Sequence, residues 1–218
     1  MKKIASKEVK VQAAPPEYWD DACKHLVKKD RVMKRLIPQF EEAYLQSRND
    51  PFITLARSIV GQQISVAAAQ SIWDKFTKLS KKLTPAVVLK LKVDDMRAAG
   101  LSARKIEYVV DLALHFDSGT LHVKNWDAMD DEAIIAELVA IRGIGRWTAE
   151  MFLIFHMMRP NVLPLDDVGL VNGISHKYFS GETVSRSEIR EVAAAWAPYC
   201  SVATWYLWRS LDPIALAY

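Results

Sequence analysis

Two adjacent acids, Asp166 and Asp167, end a proline-punctuated stretch, Arg159-Pro-Asn-Val-Leu-Pro-Leu-Asp-Asp, and open a run of helical spacing through Val168, Val171 and Ile174. An acid in that place has an ordinary use: its carboxylate caps the helix by accepting backbone N–H bonds. It also has a chemical use. The positive end of a helix favours the ionised carboxylate. A fixed anion can then stabilise positive charge developing on a reacting centre, and can position or deprotonate a water. Cleavage of a glycosidic bond, which passes through an oxocarbenium-like state, needs such an anion. Either acid could do this work, since a shift of the turn by one residue exchanges Asp166 and Asp167.

Upstream of the acids stands Gly143-Ile144-Gly145, followed by Arg146-Trp147-Thr148 and an apolar helical run to about Met158. Two glycines around one apolar residue let the backbone turn sharply and approach another molecule. Amides exposed just before a helix can receive an anion such as a phosphate. A lone G-x-G is also an ordinary helix cap. Trp147 and Trp208 fit either a core or an aromatic pocket. Electron-rich indoles favour a cationic ligand by roughly 0.5–2 kcal/mol. The five histidines (25, 115, 122, 156 and 176) show no paired metal-ligand spacing, and there is no H-E-x-x-H. No nucleotide fingerprint, G-x-S-x-G or Cys–His pair offers another chemistry.

Helices must position these residues. Trp19, Ala22 and Leu26 share a face, as do Phe52, Leu55 and Ile59. A short helix is predicted over Val32–Phe40, with Pro38 as its breaker. Asp50-Pro51 reads as an N-cap followed by proline at the first helical position. Gly61-Gln62-Gln63-Ile64-Ser65 then leads into an alanine-rich helix. Thr84-Pro85 restarts helix, Ser102 stands at a further turn-to-helix junction, and Asp130 caps the helix before the glycine pair. Residues 117–126 read as loop. Ser185–Trp196 and Ser201–Trp208 give the last helices. Strand-type alternation is absent, so the predicted class is all-α.

With 218 residues, half of them hydrophobic, the chain can bury one compact unit or two lobes. A net charge of +3 permits a nucleic-acid partner without requiring one. Cys23 and Cys200 fit a reducing compartment, and two cysteines cannot hold a four-cysteine iron–sulfur cluster. No apolar run spans a membrane and the N-terminus lacks a secretory core, so the expected location is the cytoplasm.

The segment L-V-A-I-R-G-I-G-R-W-T-A, with Asp167 twenty residues beyond Trp147, resembles the helix-hairpin-helix (HhH-GPD) DNA glycosylases, above all their 3-methyladenine DNA glycosylase II (AlkA-like) branch. The likeness spans about residues 17–212. It implies a two-lobed all-α fold with a central cleft, without the N-terminal β-domain of longer members. The expected division is a disordered tail over 1–14 and a single unit over 15–218. One lobe would cover about 51–159, the other 15–50 plus 160–218. The partner implied is double-stranded DNA bound by a monomer, and the reaction is hydrolytic release of alkylated purines after base flipping. Asp167 takes the position of the catalytic acid. Relatives that also cut the strand carry a Lys where Trp147 stands, so no Schiff base is expected here. The segment from Trp196 to Trp208 resembles the C-terminal run whose last Trp faces the flipped base, and Met151 matches an aromatic pocket position. Gln62-Gln63-Ile64-Ser65 resembles the turn that enters the minor groove, where a branched side chain wedges a base step and an amide fills the gap. The filling role is divided between Gln63 and Ile64. Gly143, Gly145 and Thr148 would meet phosphates, with Ser102 and Lys105 as a weaker second clamp. No cofactor is required. The family's hairpin carbonyls, near Ile141 and Gly143, hold Na⁺ or K⁺.

Three departures stand out. Arg142 replaces the usual Pro, which predicts a less rigid approach to the hairpin. Met151 replaces an aromatic, and Cys200 replaces an Arg. Two competing expectations share the fold: a non-catalytic DNA-binding module, which would need no aromatic pocket, and a glycosylase for oxidised or mismatched bases. An ordinary helical interaction protein is the third.

Overall fold

The computed structural model describes residues 14–40, 43–47 and 50–211. The expected tail lies outside the described residues, Ala14 excepted. Among the described residues the regular structure is entirely helical. In chain order the α-helices are α1 (Trp19–Lys29), α2 (Arg31–Leu36), α3 (Pro51–Gly61), α4 (Val66–Thr77), α5 (Pro85–Val88), α6 (Val93–Ala98), α7 (Ala103–Asp117), α8 (Asp131–Val139), α9 (Arg146–Phe155), α10 (Val168–Tyr178), α11 (Arg186–Ala193) and α12 (Cys200–Leu211).

Local chemistry sets many of these starts. Asp50, Ser65, Thr84, Ser102, Asp130, Asp167 and Ser185 each accept a backbone N–H at the head of the following helix. Such caps satisfy donors that the helix itself cannot. Ser185 and Glu188 form a full capping box.

Three boundaries differ from expectation. The helix expected to Phe40 ends at Leu36, and Ile37–Phe40 continues as a 3₁₀ turn that accommodates Pro38. The stretch read as loop before Trp126 contains a 3₁₀ turn, Val123–Ala128, anchored by buried Trp126. α9 stops at Phe155 rather than Met158, because Met158 takes a left-handed conformation and the Arg159 N–H bonds back to the Leu153 carbonyl.

The chain forms two compact units. One comprises residues 50–152. Its α7 packs against α3, α5 and α6, and α3 also packs on α4. Phe52, Ile59, Phe76, Leu112, Trp126 and Ile134 are buried there. The other combines the residues before 50 with those from Leu153 onward, so the later boundary falls inside α9 and not at Arg159. In this unit α12 packs on α10, α1 and α2. Asp30 organises its core: the carboxylate caps α2 through Val32 and Met33, and also accepts from Tyr178 Oη at 2.7 Å and Trp196 Nε1 at 2.8 Å.

Candidate functional site

In the unit containing α10 and α12, the two neighbouring acids have different fates. Asp166 is exposed and pairs with Arg186. Asp167 is 7% exposed and stands as the N-cap of α10. Its Oδ1 accepts the Leu170 N–H at 2.6 Å and the Trp208 Nε1–H at 2.6 Å. Two donors on one oxygen fix the carboxylate's direction and disperse its charge. Trp208 is itself buried, and its ring stacks on Phe155 with centroids 5.6 Å apart and planes 14° from parallel.

A residue absent from the sequence reading makes this possible. A Cβ on Gly169 would lie 2.7 Å from Trp208 Cδ1 and 3.0 Å from Asp167 Oδ1. Only glycine lets the indole edge reach the carboxylate. The signal was available: a glycine in the first turn of α10 costs about 1 kcal/mol against alanine, so it calls for a packing reason. Phe155 was also overlooked, having been counted only in an apolar run. Cys200 is buried, and burial pushes its thiol up to about 11. It fills α12's inner side as a neutral group.

The remaining predicted residues belong to the unit of residues 50–152. Gly143 has φ +84°, and a Cβ there would overlap the Tyr108 ring. Gly145 is exposed with open space beside its Cα. Thr148 is buried, so its hydroxyl is not held out at the surface beside the hairpin. Trp147 is half-buried and Met151 is 7% exposed. Arg146 binds Glu132 through both terminal nitrogens and Glu150 through Nε at 3.0 Å. Its hydrogen bonds hold the Glu132 carboxyl below the usual range.

The hairpin's approach is stapled where the missing proline suggested looseness. The Arg142 N–H donates to Asp111 Oδ2 at 2.8 Å, and the Arg142 guanidinium donates to Glu107 Oε2 at 2.9 Å. Proline has no N–H to give, so an arginine here replaces ring stiffness with a hydrogen bond donated to Asp111 on α7. Asp111 and Glu107 gave no sequence signal beyond lying one turn apart.

Gln62 ends α3, and its Nε2 donates to the Gly143 carbonyl at 2.9 Å. Gln63, Ile64 and Ser65 are exposed, and Gln63 has φ +59°. Ser65 and Ser102 each use Oγ to cap a helix. Lys105, expected to face a phosphate, instead directs Nζ at the Val60 carbonyl, 2.7 Å away, and burial lowers its pKa. The proposed cation carbonyls are engaged too. Ile141 accepts the Ile144 N–H and Gly143 accepts Gln62. The Gln62 amide gives the Gly143 carbonyl an electropositive partner within the protein. Among the described residues no cluster of three or more His, Cys, Asp or Glu is set to hold a metal, and no helix is long and apolar enough to cross a membrane.

A family profile described as HhH-GPD superfamily base excision DNA repair protein matches residues 56–198. DNA-3-methyladenine glycosylase 1 of Schizosaccharomyces pombe is 31% identical over 193 residues, covering 85% of this chain and 85% of that one. Among solved structures, a DNA-3-methyladenine glycosidase from Bacillus halodurans is 35% identical with a TM-score of 0.81, covering 90% of this chain and 92% of its own. A 3-methyladenine DNA glycosylase of Schizosaccharomyces pombe, in complex with abasic DNA, is 30% identical with a TM-score of 0.77, covering 90% and 98%.

Proposed function

Because this chain belongs to the HhH-GPD superfamily of base excision DNA repair proteins, we propose that it is a monofunctional DNA glycosylase that removes alkylated purines, chiefly 3-methyladenine and also 7-methylguanine, from duplex DNA. The observation that carries this reading is Asp167, a buried carboxylate aimed by the Trp208 indole N–H and the Leu170 amide.

The chemistry follows from the charge balance. Alkylation at N3 or N7 makes the purine cationic, so it leaves as a neutral base once the C1′–N bond breaks and both electrons go with it. Positive charge then sits on the deoxyribose, and a pre-aimed anion stabilises it without reorganising. Water adds its oxygen to C1′ and loses a proton, for which Asp167 is the acceptor. The products are free base and an abasic site. Trp147 stands where strand-cutting relatives have Lys, so no Schiff base forms. Trp147, Met151 and Trp208 are assigned to base recognition. Gln63 and Ile64 are assigned to the gap left by the flipped nucleotide, and the amides of Gly143 and Gly145 to phosphates. With DNA as substrate, the protein works where the genome lies: the cytoplasm of a bacterium or the nucleus of a eukaryote.

Asp167→Asn keeps an oxygen for the Leu170 N–H and removes the charge. Single-turnover release of methylated bases from duplexes each carrying one lesion is expected to fall by about a thousandfold, with DNA binding retained. Full activity in that variant sinks the assignment. A wild-type chain that binds these duplexes and releases no base from any of them is a non-catalytic module.

A further inference from the structure

Gln62 was grouped with the residues that meet DNA, yet its side chain is already committed within the protein. The amide Nε2 lies 2.9 Å from the Gly143 carbonyl, eighty-one residues along the chain. Resting on the glycosylase reading above, we propose that Gln62 is a positioning residue. It fastens the Gly61–Ser65 turn to the Gly143–Gly145 hairpin, so that the part entering the duplex and the part holding its phosphates move as one piece.

The surrounding bonds form a closed bracket around α7. Near its start, Lys105 Nζ holds the Val60 carbonyl, in the last turn of α3, at 2.7 Å. One turn on, the Tyr108 ring lies against Gly143, so closely that no residue with a Cβ fits there in this conformation. A further turn on, Asp111 receives the Arg142 N–H, while Glu107, the residue before Tyr108, receives the Arg142 guanidinium. α7 therefore grips the end of α3 and the hairpin separately. The Gln62 amide is the direct tie between those two gripped parts.

The turn's backbone shows what the tie accomplishes. Gln62 is half-buried and extended, with φ −56° and ψ 132°. The next residue, Gln63, reverses the chain at φ +59° with its side chain exposed, and Ile64 is 37% exposed. A non-glycine residue held left-handed needs surroundings that enforce it. Here the anchor precedes it at Gln62 and the cap of α4 follows at Ser65. A wedge anchored on both sides resists being pushed back as it parts stacked bases. An amide serving DNA directly would have no cause to occupy the hairpin carbonyl first.

The test uses the full ¹⁵N-labelled chain without DNA, then the same samples with duplex. Gln62→Leu keeps the bulk and removes the donor; Gln62→Glu opposes a carboxylate to the carbonyl. Both variants are expected to shift the backbone amide resonances of Ile144, Gly145 and Arg146 in the free protein. Both should also weaken binding to a duplex carrying an abasic site roughly tenfold, the scale of one lost hydrogen bond. Lys105→Met, which releases the Val60 carbonyl, is expected to shift the amides of Gly61–Ser65. Unmoved hairpin resonances in both Gln62 variants overturn the proposal whatever happens to DNA binding, and leave a direct DNA contact as Gln62's role. Shifted resonances with undiminished binding overturn it as well, since the tie would then have no bearing on DNA. Circular dichroism on each variant separates these outcomes from misfolding. A wild-type chain that releases no methylated base sinks the glycosylase reading alone, because the hairpin shifts are read without substrate.

Discussion

At the scale of single residues, the arrangement turns on which groups hold the Asp167 carboxylate. Trp208 gives its N–H to Asp167 and its ring face to Phe155, so its two contributions can be separated. Trp208→Phe preserves an aromatic ring against Phe155 and deletes the donor. The single-turnover rate of base release is expected to drop roughly tenfold through lost aim of the carboxylate, with duplex affinity unchanged. An unchanged rate would show that the Leu170 amide alone suffices. The pair of acids illustrates what a sequence carries at this scale. The turn and the following helix pointed to an acid in this place, but ranking Asp166 against Asp167 needed partners the pattern did not announce. Arg186 lies twenty residues beyond the one and Trp208 forty-one beyond the other. Gly169 was readable in principle, since a glycine that weakens a helix start invites the question of what stands beside it.

At the scale of elements, helix starts were legible and helix neighbours were not. Asp50, Ser102 and Asp130 cap with their own side chains onto amides three residues away, so local sequence contains the whole interaction. The ends were less legible. α9 stops short because a left-handed Met158 and a bond from Arg159 to Leu153 turn the chain back, and neither has a residue-type signature. The Asp30 network is the long-range counterpart. A single carboxylate caps α2 and receives the Tyr178 hydroxyl and the Trp196 indole from 148 and 166 residues away. Asp30→Ala would remove a cap and leave two inward-facing donors without their acceptor. Chemical denaturation is expected to show a loss of roughly 3 kcal/mol, more than a lone cap contributes. A loss below about 1 kcal/mol would mean that water or a neighbouring acceptor takes over.

At the scale of the molecule, charge tells how the protein meets DNA. The net charge is only +3, and the arginines flanking the hairpin are already paired: Arg142 with Glu107, Arg146 with Glu132 and Glu150. Lys105 points to a carbonyl. On the proposed reading, backbone amides and helix starts, which carry no counterions to release, would be the principal phosphate ligands in this part of the chain. Binding of an undamaged duplex should therefore weaken only gently as salt rises, with a log–log slope of roughly −3. A slope near −8 would mean that free cations elsewhere dominate. Composition permitted this partner, and only the pairings show how little of the positive charge around the hairpin is available to it.

The left-handed Gln63 has a consequence for how such a protein changes over generations. Glycine would occupy that conformation without the penalty of roughly 1–2 kcal/mol that an L-residue carries. Gln63→Gly should therefore melt at a higher temperature than the parent while clearing lesions poorly. A breeding experiment rewarding heat resistance alone would erode this position, whereas one rewarding survival under alkylating agents would keep the tension in place.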